Sequence, residues 1–135
     1  MPTARDEWEA LIAALRNVEQ TVQACAAAEK LHKVATKEDV PKLLALLRDD
    51  DAFVREAAAW PLSELEGAPL LRDLLVAYQR GLDEGFDNDG FSAALIDLVE
   101  ANRSESAAEL RLLVLDSNAH IRENAGWLLE FCSGN

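Results

Sequence analysis

One nine-residue segment occurs twice in this chain. The first copy is Val54-Arg-Glu-Ala-Ala-Ala-Trp-Pro-Leu62 and the second is Ile121-Arg-Glu-Asn-Ala-Gly-Trp-Leu-Leu129, at a gapless offset of 67 residues that also aligns Asp49 with Asp116. An offset of this size is about twice the period of a two-helix repeat, so one more divergent unit should lie between the copies. The whole chain is therefore predicted to be a short helical solenoid.

The helical spacing of apolar residues divides the chain into four helix-pair units. Leu43, Leu46 and Leu47, for example, form the apolar side of a short helix, and Ala52–Leu65 is predicted as the helix that follows. No segment alternates with period two, so no sheet is expected. The approximate bounds of the four units, within one domain spanning residues 1–135, are 5–36, 37–66, 67–102 and 103–132.

The third unit is irregular. Leu70–Tyr78 is predicted as its first helix and Phe91–Ala101 as its second, which leaves a long acidic connection over Gln79–Gly90. Connections of that length often carry function. Asp87-Asn-Asp-Gly90 matches part of a calcium loop, but the full pattern needs an acid at Gly85 and a glutamate at Ile96. We interpret this segment as a loop that caps the next helix.

Composition indicates a chain that can fold without disulfide cross-links. Half of the 135 residues are apolar, so a core can form without disulfides. Cys25 and Cys132 lie far apart and are interpreted as two buried helix thiols, which fits a reducing, cytoplasmic compartment. The N-terminus lacks the apolar run of a signal peptide, and no window approaches the length that spans a bilayer.

The charge is strongly negative and unevenly placed. The chain carries a net charge of -12, of which residues 1–55 contribute -2 and residues 56–135 contribute -10. A field of that sign repels phosphate backbones and anionic lipid, so direct binding to nucleic acid or membrane is not expected. It favours a basic protein partner. The alternative is that the acids only solvate the helix surfaces.

Catalytic and metal-binding patterns are absent from the sequence. His32 and His120 have no companion at the spacing of a metal site or a nucleophile–base pair, so both are interpreted as structural or surface residues. Neither a glycine-rich phosphate loop nor a paired cysteine motif occurs. We therefore predict no catalytic residue, no metal and no cofactor.

The repeated segment resembles HEAT repeats, in particular the short HEAT-like repeats first associated with phycobilisome lyases. The family pattern is a turn aspartate, then Val-Arg, then small residues and a leucine, and here it is carried by Asp49, Val54-Arg55 and Ala57-Ala-Ala59, and again by Asp116 and Ile121-Arg122. The resemblance covers residues 37–66 and 103–132, whereas Pro61, Asn124 and Gly126 depart from it.

The resemblance implies an all-α fold, a short right-handed α-solenoid of about four helix pairs. In such repeats the matching aspartate and arginine form a structural ladder between adjacent units. We therefore expect Asp49, Asp116, Arg55 and Arg122 to stabilise the fold and not to form a charged binding site.

The position after the small-residue cluster is usually polar in the family and faces the concave surface, but here it is Trp60 and Trp127. Aligning the weaker units by eye places Glu29 and Asp97 at the same register. Aromatic residues surrounded by acids can anchor a basic protein surface. The alternative is that both tryptophans pack inward. The predicted partner-binding set, with neighbouring residues and the long loop, is Phe53, Glu56, Trp60, Glu64, Asp83, Glu84, Phe86, Asp87, Asp89, Asp97, Glu123 and Trp127.

Three functions follow as hypotheses. The first is a non-catalytic scaffold that binds a basic protein, as a monomer or a dimer, for instance as a toxin-neutralising immunity protein, which some small acidic HEAT-like proteins resemble. The second, implied by the resemblance, is a lyase-type accessory enzyme that attaches bilins. The third is a structural subunit of a larger assembly.

Overall fold

The computed structural model describes residues 4–17 and 19–132 of the chain. Within these residues there are eight α-helices and no strand, with short 3-10 turns at Lys37–Asp39 and Ala68–Leu70. The helices are α1 (Ala4–Arg16), α2 (Thr21–Val34), α3 (Val40–Leu47), α4 (Ala52–Leu65), α5 (Leu71–Asp83), α6 (Asp89–Ala101), α7 (Arg103–Leu113) and α8 (Ala119–Leu129).

The described residues form eight helices in succession without a strand, so the predicted all-α class is confirmed. The helix predicted over Ala52–Leu65 has those bounds in the structure and continues through Pro61. The chain packs as two compact units, the first ending at Pro61 and the second beginning at Leu62. In the first unit α1 packs against α2, and in the second α7 packs against α8 while α5 contacts α6, α7 and α8.

Each unit has an apolar core of leucine and alanine with few larger side chains. Short alanine side chains allow neighbouring helices to approach closely, while leucines fill the space between them. Fully buried examples are Leu15, Leu31 and Leu43 in the first unit and Leu74, Leu95 and Leu128 in the second. Tyr78 is the largest apolar side chain buried in α5.

The prediction of a long loop over Gln79–Gly90 was wrong. Helix α5 continues through Gly81 to Asp83, and α6 begins at Asp89, so the connection contains only residues 84–88. The helix ends in a Schellman motif, in which the Phe86 N–H donates to the Gly81 carbonyl and the Gly85 N–H donates to the Leu82 carbonyl, both at 3.0 Å. Gly85 adopts the positive φ of 91° that this cap needs.

Gly81 is a close-packing site and not a helix terminator. A β-carbon there would lie 2.5 Å from Oδ1 of Asn88. The Asn88 side chain fills that space, and its amide donates to the Tyr78 carbonyl at 2.6 Å. In the sequence Gly81 stands in a helix-breaking context, but the contact that explains it comes from Asn88, which lies at the other end of the connection.

The interpretation of both cysteines as buried helix thiols was also wrong. Cys25 lies exposed on α2, and Cys132 lies partly buried in the turn after α8. Both are free thiols. Burial raises the pKa of the Cys132 thiol, which makes its thiolate less available at neutral pH. In the described part of the chain, every helix is too short or too polar to cross a membrane.

Candidate functional site

A groove of about 360 Å³ lies between α2 and α4 in the first unit. It is called the α2–α4 groove below. The residues that line it are Ala28, Glu29 and His32 from α2, and Phe53, Glu56, Ala57 and Trp60 from α4. Four of these, Glu29, Phe53, Glu56 and Trp60, were predicted from the sequence to share one face, and the structure brings them together.

Helical spacing explains why these side chains converge. On α4 the lining residues from Phe53 to Trp60 are spaced i, i+3, i+4 and i+7, so they lie on one face of the helix. On α2 the lining positions Ala28, Glu29 and His32 also lie within one turn of each other. Ala28 and Ala57 are short, and the space that a longer side chain would fill remains open as groove.

The α2–α4 groove combines an aromatic wall with acidic edges. The Trp60 indole is half-buried, and the His32 ring lies beside it with ring centroids 6.2 Å apart and planes inclined by 39°. Glu29 is exposed on the α2 side and Glu56 is partly buried on the α4 side. Among the described residues that line this groove, two are carboxylates and none is lysine or arginine.

Sequence reasoning missed His32, which it assigned to a structural or surface role without placing it beside Trp60. The sequence did indicate which face of α2 carries His32. It follows Glu29 by three residues on the same helix, so the two side chains share a face. The partner ring was not visible from local spacing alone, since Trp60 belongs to another helix.

Trp127 has different surroundings in the second unit. Its ring stacks on Tyr78 with centroids 5.7 Å apart and planes inclined by 15°, and Phe131 meets it edge-on at 5.9 Å. Tyr78 in turn contacts Phe91 at 5.8 Å. Trp127 is therefore part of an aromatic cluster, close to the inward-packing alternative that the sequence left open.

The other predicted helix residues do not line the α2–α4 groove. Glu64 is exposed in the part of α4 that belongs to the second unit. Asp97 on α6 and Glu123 on α8 are exposed as well. Asn124, which departed from the family pattern, donates to the side chain of Gln79 at 3.0 Å and so links α8 to α5.

The acidic residues predicted for the long loop lie at the end of α5, in the short connection and at the start of α6. Phe86 is 52% exposed at the middle of the connection. The Asp87 carboxylate accepts the Asp89 N–H at 3.1 Å, which supports the capping interpretation for this segment. The exposed acids around Phe86 are Asp83, Glu84, Asp87 and Asp89.

Asp49 organises the turn between α3 and α4. Its carboxylate accepts hydrogen bonds from the Asp51 N–H at 2.9 Å and from Nη1 and Nη2 of Arg16. Arg55 donates to the backbone carbonyl of Asp49 at 2.8 Å. Partial burial alone would raise the pKa of Asp49, but the hydrogen bonds from Asp51 and Arg16 outweigh it and hold this pKa below its usual value. Arg55 is 1% exposed.

Asp116 repeats this arrangement between α7 and α8. Its carboxylate accepts the Asn118 N–H at 2.9 Å and the Arg72 Nε at 2.9 Å, and Arg122 donates to its backbone carbonyl at 2.8 Å. The hydrogen bond from Arg72 is the main cause that lowers the pKa of Asp116.

The arginines that pair with Asp49 and Asp116 across adjacent helix pairs differ from those expected. Arg55 and Arg122 bond the backbone of their own turns, and the donors that reach the aspartates from the preceding helix pair are Arg16 and Arg72. Arg16 ends α1 whereas Arg72 lies in the first turn of α5, so these two are not related by the 67-residue offset. Inspection of the repeat alone could not identify them.

Comparison with protein families finds a HEAT repeat in this chain. The HEAT repeat model matches residues 40–65, which span α3 and α4 and include Phe53, Glu56 and Trp60. No curated protein and no solved structure matches the chain. In the part of the chain that the structure describes, no three His, Cys, Asp or Glu side chains are grouped so that they could hold a metal ion. The match and the helical structure together support a HEAT-like repeat protein.

Proposed function

We propose that this HEAT-like repeat protein binds a basic protein partner, and that the α2–α4 groove holds a positively charged segment of it. HEAT repeats generally mediate protein–protein interaction, and proteins built from them are typically non-catalytic. The observation that carries the proposal is the groove lining, in which Trp60 and Phe53 are flanked by Glu29 and Glu56.

The chemistry of this lining suits a cationic segment. Tryptophan side chains in partly desolvated pockets are frequent binding hot spots, because a large flat surface is buried at low entropic cost. Carboxylates at the edges attract positive charge and repel acidic competitors. The net charge of -12 extends that attraction to long range and accelerates encounter with a basic partner at low salt.

The exposed Phe86 and its surrounding acids are proposed as a further contact with the same kind of partner. A toxin-neutralising role is a narrower form of the proposal, in which the partner is a basic toxin and binding covers its surface. Support for this extension comes from the same charge complementarity and from the exposure of Phe86.

A direct test uses the full chain and a short fluorescein-labelled peptide rich in arginine and lysine, followed by fluorescence anisotropy. Trp60→Leu and the double variant Glu29→Gln/Glu56→Gln should each weaken binding by about ten-fold or more, because they remove the aromatic surface or the carboxylates. Raising the salt concentration should weaken binding to the wild-type chain, since exposed charges are screened.

The matched control is Glu19→Gln/Glu38→Gln, which changes the net charge equally at two exposed acids that do not line the groove. It should leave affinity within about two-fold, since long-range charge alone changes little. Circular dichroism verifies that each variant is folded. Equal weakening by both double variants would show that only net charge matters and would refute the groove assignment.

A further inference from the structure

The α2–α4 groove can be compared with the surroundings of another tryptophan in the same unit. Lys42 lies over the Trp8 ring, with Nζ 5.2 Å from the ring centroid. That distance is within the range of a cation–π contact, so the face of Trp8 already holds a cation from the chain itself. The groove around Trp8 is lined by Arg16 and Lys42 as well as Glu9.

Trp60 has the opposite surroundings. Its ring neighbour is His32, and the charged side chains of the described groove lining are the carboxylates of Glu29 and Glu56. One carboxylate comes from each of the two helices that line the groove. The chain therefore provides an aromatic surface and negative charge at one place, without a lysine or arginine in the described lining.

We propose that the group anchored in the α2–α4 groove is an arginine side chain of the partner, stacked on Trp60 and hydrogen-bonded to Glu29 and Glu56. This inference rests on the proposed function and specifies its ligand. A guanidinium is flat, is weakly hydrated and has five N–H donors, so it can stack on an indole and donate to carboxylates at the same time.

Lysine fits the same place less well. Its ammonium is a compact, strongly hydrated charge without a flat surface, so stacking on Trp60 would cost it more hydration and give less contact. Ala28 and Ala57 leave open a groove of about 360 Å³, and the long arginine stem can lie along this apolar floor. A guanidinium should therefore be preferred over an ammonium of equal charge.

The experiment uses three peptides that are identical except at one central position, which is arginine, lysine or citrulline. Citrulline keeps the shape of arginine but lacks its charge. The arginine peptide should bind the wild-type chain about ten-fold more tightly than the lysine peptide and more tightly still than the citrulline peptide. Binding should also quench the fluorescence of Trp60.

Three variants separate this inference from the proposed function. Trp60→Leu should remove the preference for arginine while leaving charge-dependent binding of both cationic peptides, and Trp127→Phe should keep the preference. If Glu29→Gln/Glu56→Gln weakens both peptides and lysine binds as well as arginine, the arginine anchor is refuted and the proposed function stands. If the Glu29→Gln/Glu56→Gln protein binds both peptides with wild-type affinity, the proposed function itself fails.

Discussion

The two copies of the repeated segment keep the same turn chemistry but place their tryptophans in different surroundings. Asp49 and Asp116 each accept a backbone N–H from two residues ahead and a guanidinium from an earlier helix. Trp60, by contrast, lines an open acidic groove, while Trp127 stacks on Tyr78. The repeat specifies its own turn, and the helices around each copy decide what the tryptophan contacts.

The difference arises outside the repeated segment. Beside Trp60 the neighbouring helix presents Ala28 and His32, which leave a groove, whereas Tyr78 on α5 covers one face of Trp127. Identical residues at one repeat position therefore line a groove in one copy and join an aromatic cluster in the other.

The two repeat arginines should differ most. Arg55 is buried and Arg122 is exposed, although both donate to the carbonyl of their turn aspartate. Arg55→Ala should lower the free energy of unfolding by about 2–4 kcal/mol, and Arg122→Ala by less than about 1 kcal/mol, because burial makes a lost hydrogen bond and a cavity costly. Urea unfolding measures both, and equal losses would contradict the account.

The two tryptophans should also differ in stability. Trp127→Ala removes two ring contacts from a cluster and should cost about 2–3 kcal/mol, whereas Trp60→Ala should cost about 1–2 kcal/mol because one side of the ring faces the groove. Thermal unfolding followed by circular dichroism gives the order. A larger loss at Trp60 would show that it is the packing residue of the two.

The packing of Asn88 against α5 offers a contrast with the two aspartate turns, because it depends on Gly81 inside the helix. Gly81→Ala should destabilise the protein by about 1–3 kcal/mol, since the new methyl group would collide with the Asn88 side chain. The double variant Gly81→Ala/Asn88→Gly should recover part of that loss. If Gly81→Ala alone is neutral in urea unfolding, the close contact with Asn88 is not a constraint.

Gly126 allows the second copy to be made more like the first, where the aligned residue is Ala59. A β-carbon at Gly126 would meet no atom within 4 Å. Gly126→Ala should therefore stabilise α8 by up to about 1 kcal/mol through helix propensity. A measured destabilisation would mean that this part of α8 tolerates no side chain.

Acid should weaken both turns in the same way and by a small amount, because each ion pair is open to solvent on its arginine side. The pKa values of Asp49 and Asp116 are lowered in the folded state, so the unfolded chain takes up protons first as pH falls. Their contribution is complete above about pH 4, the unfolded value, and is lost as pH falls through the lowered pKa.

The test for this is stability measured from neutral pH down through the unfolded-state carboxyl pKa of about 4 and as far below it as the protein stays soluble. Asp49→Asn/Asp116→Asn should be less stable at neutral pH and should show a flatter acid limb than the wild type. An acid limb of unchanged slope would contradict the assigned role of these carboxylates.

The sequence predicted much of the fold because helix pairs are encoded locally. The spacing of leucines placed α3 and α4, and the repeat placed Asp49 and Asp116 in turns. The predicted length of the connection between α5 and α6 was wrong. The Schellman cap and the Asn88 contact depend on residues that meet only after these two helices have folded together.

The candidate site was predictable in part for the same reason. Phe53, Glu56 and Trp60 share a face of one helix, so their convergence follows from periodicity. Tyr78 beside Trp127, and His32 beside Trp60, are contacts between helices far apart in sequence. No pattern within a single helix specifies such a neighbour, and these neighbours give the two tryptophans their different surroundings.

Single-tryptophan proteins test the central claim most directly, because Trp8, Trp60 and Trp127 can each be kept while the other two become phenylalanine. Each variant is titrated with the arginine-bearing peptide while its tryptophan emission is recorded. We expect a saturable change in emission for the protein that keeps Trp60 and none for the protein that keeps Trp127. A response from Trp127 with none from Trp60 would contradict this expectation.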